Sequence, residues 1–214
     1  MEVPENNKSA VIELQYLPPI PYFVSLIRFD KVFFEIHENF IKQSYRNRCR
    51  ILTANGIEDL VIPLKKPHHH VPITEIHIDY RQNWPLRHWK ALQTAYGKSP
   101  WFDHYSGDIK EILFSGKQLL TEFNLNSIVI SSGLLGLDMK PDFTERFDKG
   151  KDGSFEDLRS CIHPKKNTEN LGFYMPVKYI QNFGHGFSPS LSVIDLIFSE
   201  GPASLSIIKQ SVKC

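Results

Sequence analysis

AVIELQYLPPIPYFVSLIRFDKVFFEIHENF, residues 10–40, is the stretch on which the fold turns. AVIELQYL (10–17) is an apolar run that reads as a buried strand, and Pro18-Pro19 stops it because proline cannot donate to a sheet ladder. PIPYFVSLIRFD then sets Tyr22, Phe23, Leu26 and Ile27 at helical spacing, with Pro21 suited to a first turn. KVFFEIHENF (31–40) reads as a second strand. Strand, helix and strand within about 30 residues make a βαβ unit, closed by a right-handed crossover. The expected class is α/β: a mixed sheet of about five strands that opens with this unit, with helices flanking it and filling the C-terminal half.

Reading outward, CRILTANGIEDLVIPL gives two strands joined at Asn55-Gly56, a strong hairpin signal. ITEIHID (73–79) alternates apolar and polar residues and reads as another strand. WPLRHWKALQTAY (84–96) sets Leu86, Trp89, Leu92 and Tyr96 on one helical face. SGDIKEILF and SGKQLLTEFNLNSIVISSGLLGL (115–137) hold further helices, and PSLSVIDLIF holds a last one that halts at Gly201-Pro202. Residues 138–169 are charge-rich and poor in aliphatics, which reads as a long loop or excursion from a single domain spanning 1–214.

Bulk composition narrows the partners. The net charge of +1 argues against a nucleic-acid binder, while a local cationic pocket stays compatible with it. Three cysteines without a CxxC pair indicate a reducing compartment, and the polar opening MEVPENNKSA is unlike a signal peptide. No apolar run reaches the roughly 20 residues of a membrane span. The expectation is a soluble cytoplasmic protein.

Chemistry concentrates in KQSYRNRCRI (42–51). Lys42, Tyr45, Arg46, Asn47 and Arg48 read as an anion cradle, because guanidinium groups match phosphate and carboxylate two bonds at a time. In an extended chain Arg46, Arg48 and Arg50 share a face. The alternative is a solvated face whose arginines pair with Glu35, Glu38 or Asp59. Cys49 alternates with the arginines and reads as core. Three histidines are candidate acid–base groups. His37 ends the second strand, where α/β proteins bind ligands. His88 stands one helical turn from Trp84, whose ring suits a sugar face or a core. His185 lies between glycines in NFGHGFSPS, with Asp195 downstream as a buried carboxylate needing a partner such as Arg46 or Arg48. His68-His69-His70 sit in a proline-flanked loop with no supporting ligand motif, so no metal site is expected. No Walker loop, GxGxxG or GxSxG appears, and no cofactor follows from the residues.

ELQYLPPIPYF, HENFIKQSYRNRCRI, LVIPLKK and NWPLRHWKALQTAYGKSPWFDHY, in this order, resemble the WbqC-like protein family. The tail QNFGHGFSPSLSVIDLIFSEGP is similar to the form common in Bacteroidetes. The resemblance covers most of the chain, with 138–169 outside it, and departs from the usual Gln-Pro opening at Gln15-Tyr16. It implies a bacterial protein associated with O-antigen and related surface polysaccharides. The corresponding expectation is a group-transfer enzyme that binds an anionic, phosphate-bearing donor or a sugar. The alternative is a non-catalytic accessory or ligand-binding protein of polysaccharide assembly.

Overall fold

The computed structural model describes residues 9–65, 70–148, 155–184 and 186–213. The opening unit forms as its pattern requires. Strand β1 (Ser9–Glu13) leads to helix α1 (Ile20–Arg28) and strand β2 (Lys31–Glu35), and the two strands pair in parallel. Pro21 stands in the first turn of α1, where a missing N–H costs nothing. β1 ends at Glu13, earlier than the apolar run, and residues 14–19 stay buried as an irregular segment that bends at Tyr16-Leu17, where Leu17 has φ of 38°.

Arg48–Thr53 (β3) and Gly56–Val61 (β4) form the hairpin read from Asn55-Gly56, antiparallel with Arg48 opposite Val61. Gly56 has φ of 102°, a conformation that favours glycine. Helices α2 (Trp84–Tyr96), α3 (Phe102–Leu113) and α4 (Leu120–Leu134) follow. α5 (Val193–Glu200) stops at Gly201, and α6 (Ser204–Gln210) adds a helix beyond the expected last one. At Gly201 φ is 51° and an added Cβ would lie 2.3 Å from the Trp101 ring, so both backbone and space require glycine.

Two expectations change. Residues 73–79 do not form a strand: Ile73–Glu75 is a single 3-10 turn, and isolated bridges at His77 and Ile78 stand in place of a strand ladder. The charge-rich excursion is part of the sheet. Asp142–Phe143 (β5) pairs with β2, and Glu156–Asp157 (β6) pairs with β1, both in parallel. The strands therefore divide into a four-stranded parallel sheet of order β5-β2-β1-β6 and the separate β3-β4 hairpin.

This order has a functional consequence. The chain steps from β1 outward to β2 and on to β5, then returns to β6 on the other side of β1. The direction reverses between β1 and β6, and ligands of open α/β sheets bind beyond the carboxyl ends of strands at such a switch point. One face of the sheet carries Ala10, Ile12 and Phe34, which join a buried cluster running from Ala10 to Ile208. The in-register partners Val11–Phe33 and Glu13–Glu35 share the opposite face. No described helix is long and apolar enough to cross a membrane.

Candidate functional site

Glu13 and Glu35 are the last residues of β1 and β2, and both carboxylates are buried. Burying a carboxylate is costly unless it is paired and hydrogen-bonded, and both are. Glu35 accepts from Arg159 Nη1 at 2.6 Å, from the His37 backbone N–H at 2.7 Å and from Thr144 Oγ1 at 2.9 Å. Glu13 accepts from Gln15 Nε2 and from the Ser160 backbone N–H, both at 2.8 Å. Just past β2, Glu38 takes a two-point grip from Arg46, at 2.6 Å through Nε and 2.5 Å through Nη2. Arg46 Nη1 also stands 3.6 Å from Glu13 Oε1. Three glutamates and two arginines thus interlock where β1, β2 and β6 end.

Burial raises the Glu38 carboxyl above the usual range against the pull of Arg46, and Glu13 and Glu35 add to the rise. Burial opposes the charge on Arg46, but Glu13 and Glu38 outweigh it and hold its pKa above the ordinary value. Arg159 is held up chiefly by Asp157, which it grips at 2.9 and 2.7 Å, and by Glu35. It also donates to the Asp148 backbone carbonyl.

Above this cluster lie two adjoining hollows of about 450 Å³ each, with Arg159 in the wall of both. One is bounded by Phe33, Glu35, Phe143, Thr144 and Phe155, the other by Glu38, Phe147, Asp157 and Ser160. The Arg159 guanidinium lies 4.4 Å from the Phe147 ring centre, and the Phe143 and Phe147 rings are 39% and 48% exposed. Aromatic faces, carboxylates and a guanidinium fork are the surfaces that recognise a polyhydroxylated ring.

The expected site residues separate. Arg46 is not extended: Tyr45 and Arg46 sit in a turn ahead of β3, so strand alternation does not carry from Arg46 to Arg48. Arg46 is 0% exposed and works inside the cluster. Arg48 and Arg50 do share a face, where they divide one carboxylate, Asp59, each at 3.0 Å. Tyr45 is buried, its ring 5.9 Å from the Arg50 guanidinium, and burial pushes its hydroxyl up to about 12. Asn47 ties the start of β3 to the Ile62 carbonyl at 2.9 Å. Lys42, Asn47 and Arg48 line a shallow groove on the far side of residues 38–43 from the cleft.

The histidines separate as well. His37 lies beside the cleft without lining either hollow: its side chain is exposed and its Nε2 lies 2.9 Å from the carbonyl of Thr144, which does line one of them. A carbonyl only accepts, so Nε2 carries the proton and Nδ1 of the neutral ring is left as the base. His88 is buried between Trp84 and Tyr16, with Nδ1 3.0 Å from the Tyr16 hydroxyl, and burial lowers its pKa to about 4. Trp84 is fully buried, so neither residue reaches the cleft. His185, His68 and His69 lie outside the described residues, and His70 is exposed. The suggested pairing of Asp195 with Arg46 or Arg48 does not occur. Asp195 accepts from Tyr179 Oη at 2.6 Å and Gln181 Nε2 at 3.2 Å. The Cys49 thiol is core, and burial pushes its pKa up.

Glu13 and Arg159 escaped the sequence reading, and Glu35 entered it only as a possible arginine partner. The two glutamates left a signal, an acid closing each apolar strand. Arg159 left none, since 124 positions separate it from Glu35.

Comparison with known proteins agrees with the motif order. The uncharacterized protein Rv1507c of Mycobacterium tuberculosis is 23% identical over 223 residues, covering 91% of this chain and 94% of that protein. No solved structure matches the chain. The WbqC-like protein family matches residues 15–163, a span that takes in most of the segment first placed outside the resemblance and includes Arg159. The chain belongs to the WbqC-like protein family.

Proposed function

We propose that this protein, a family member of the Bacteroidetes type, is a cytoplasmic group-transfer enzyme of surface-polysaccharide biosynthesis. It moves a group from an anionic, phosphate-bearing donor to a sugar bound in the strand-end cleft. The observation that carries the reading is the cleft itself, two adjoining hollows of about 450 Å³ each, one over the open face of the parallel strands and the other at their carboxyl ends. Phe143 and Phe147 offer rings to the apolar face of a sugar. Asp157 and Arg159 offer an acceptor and a donor to its hydroxyls. His37 Nδ1 takes the proton of the attacking hydroxyl or amine as the new bond forms, and the phosphate-bearing fragment leaves as the anion. Glu35 fixes the backbone of His37 and the hydroxyl of Thr144, whose carbonyl sets the tautomer.

Calorimetric titration with free sugars and nucleotide-linked sugars tests the reading. Phe147→Ala and Arg159→Met each weaken sugar binding about tenfold or more. Sugar binding that neither substitution alters contradicts it. His37→Ala separates catalysis from a non-catalytic accessory role: a transferase keeps its ligand and loses turnover, and an accessory protein turns nothing over in either form.

A further inference from the structure

We propose that the groove lined by Lys42, Asn47 and Arg48 holds the phosphate of an ester whose remaining body is apolar or aromatic. This rests on the group-transfer reading, for which it locates the donor.

Residues 38–43 form a wall with opposite chemistry on its two sides. Glu38, Asn39 and Ile41 face the cleft, while Phe40, Lys42 and Gln43 face a groove of about 290 Å³. The wall is anchored on one flank by the buried Glu38–Arg46 pair and on the other by backbone bonds from Phe40 to Val71 and from Ile73 to Glu38, both 2.9 Å. It is therefore a fixed rim shared by two neighbouring open sites, over which the transferred group passes from the donor to the cleft.

The groove carries a surplus of positive charge. Its two charged lining residues, Lys42 and Arg48, are both cations. Arg48 shares Asp59 with Arg50, so two guanidiniums are matched by one carboxylate. Among the described residues the buried Arg48 Nε has no hydrogen-bond partner, and the partly exposed fork around it is matched only by the shared Asp59. Lys42 is exposed, and the Lys165 ammonium reaches the rim through Gln43 Oε1 at 2.5 Å.

The floor is apolar. Phe40, Val61 and Pro63 lie beneath these cations, and Val61 stands directly opposite Arg48 across the hairpin. Inorganic phosphate would satisfy the cations and leave this floor uncovered. A phosphate ester with an apolar or aromatic body would use both. A nucleoside diphosphate and a prenyl phosphate share this chemistry, and binding distinguishes them.

The test is titration of the full chain at low salt with inorganic phosphate, a nucleoside diphosphate and a short prenyl phosphate. One ester binds at least about tenfold tighter than inorganic phosphate, and the tighter one identifies the donor's body. Lys42→Ala with Arg48→Ala weakens that ester about ten- to hundredfold. Lys42→Glu, at an exposed side chain, weakens it alone and guards against a misfolded hairpin. The proposal is overturned if neither ester surpasses inorganic phosphate, or if the Lys42→Ala, Arg48→Ala protein binds as well as the wild type. Ester binding through Lys42 and Arg48 without any sugar effect in the cleft sinks the cleft reading alone. Sugar binding in the cleft without ester binding sinks the groove alone.

Discussion

Two regions of this molecule bury carboxylates, and they solve the same problem differently. At the strand ends Glu13, Glu35 and Glu38 are matched by Arg46 and Arg159, and the cluster floors a cleft. In the C-terminal helical half Asp195 is 0% exposed and, among the described residues, is met by a tyrosine hydroxyl and a glutamine amide instead of a guanidinium. Ion pairing keeps charge in place where a ligand can use it. Burial raises the Asp195 carboxyl above the ordinary 3.8 against the pull of Tyr179, Tyr96 and Gln181, as it raises Glu38 against Arg46, so the two regions differ in the charge of their donors and not in the direction of the shift. The first arrangement suits a site and the second suits a seam between segments.

The contrast is broken most directly at Arg46. Arg46→Ala leaves Glu38 and Glu13 buried without their cation and costs about 3–5 kcal/mol, measured by denaturant unfolding. A loss under about 1 kcal/mol would mean that the cluster is wet and adaptable. Glu35→Gln costs less, about 1–3 kcal/mol, because Arg159 keeps Asp157. Asp195→Asn goes the other way. A folded pKa raised above the unfolded one gives stability that is complete below about 3.8 and is lost as pH rises through the folded value. The asparagine protein escapes this loss, so its advantage over the wild type grows between about pH 4 and pH 7 and raises the thermal midpoint by a few degrees. An advantage that shrinks with rising pH would contradict the account of Asp195.

The same contrast explains what the sequence disclosed. Features set by near neighbours were legible. The βαβ opening follows from residues 10–40, the hairpin from Asn55-Gly56, and the helical state of α2 from its spacing over Trp84–Tyr96, although its buried face runs through Trp84, His88, Leu92 and Tyr96 and leaves Leu86 of the expected face exposed. The strands of the excursion were hidden because each is two residues long and exposed, with Asp142, Glu156 and Asp157 where aliphatics would normally mark a strand. The alternation of 73–79 misled because single bridges to Leu64 and Leu119 replaced a ladder. The facing of the arginines was half legible. Parity within β3 correctly grouped Arg48 with Arg50, but it could not see that the chain turns at Tyr45-Arg46 and sends Arg46 inward. The cleft was hardest to read, because its chemistry joins Glu13, Glu35, Arg46 and Arg159 through the topology of the sheet.

Hydrogen exchange of the full chain with and without a saturating sugar or nucleotide-linked sugar tests the central claim most directly. The strand-end cleft predicts slowed exchange at the described amides of 33–38, 143–148 and 155–160. A ligand that binds while leaving those amides unchanged, or that protects only amides elsewhere in the chain, would contradict it.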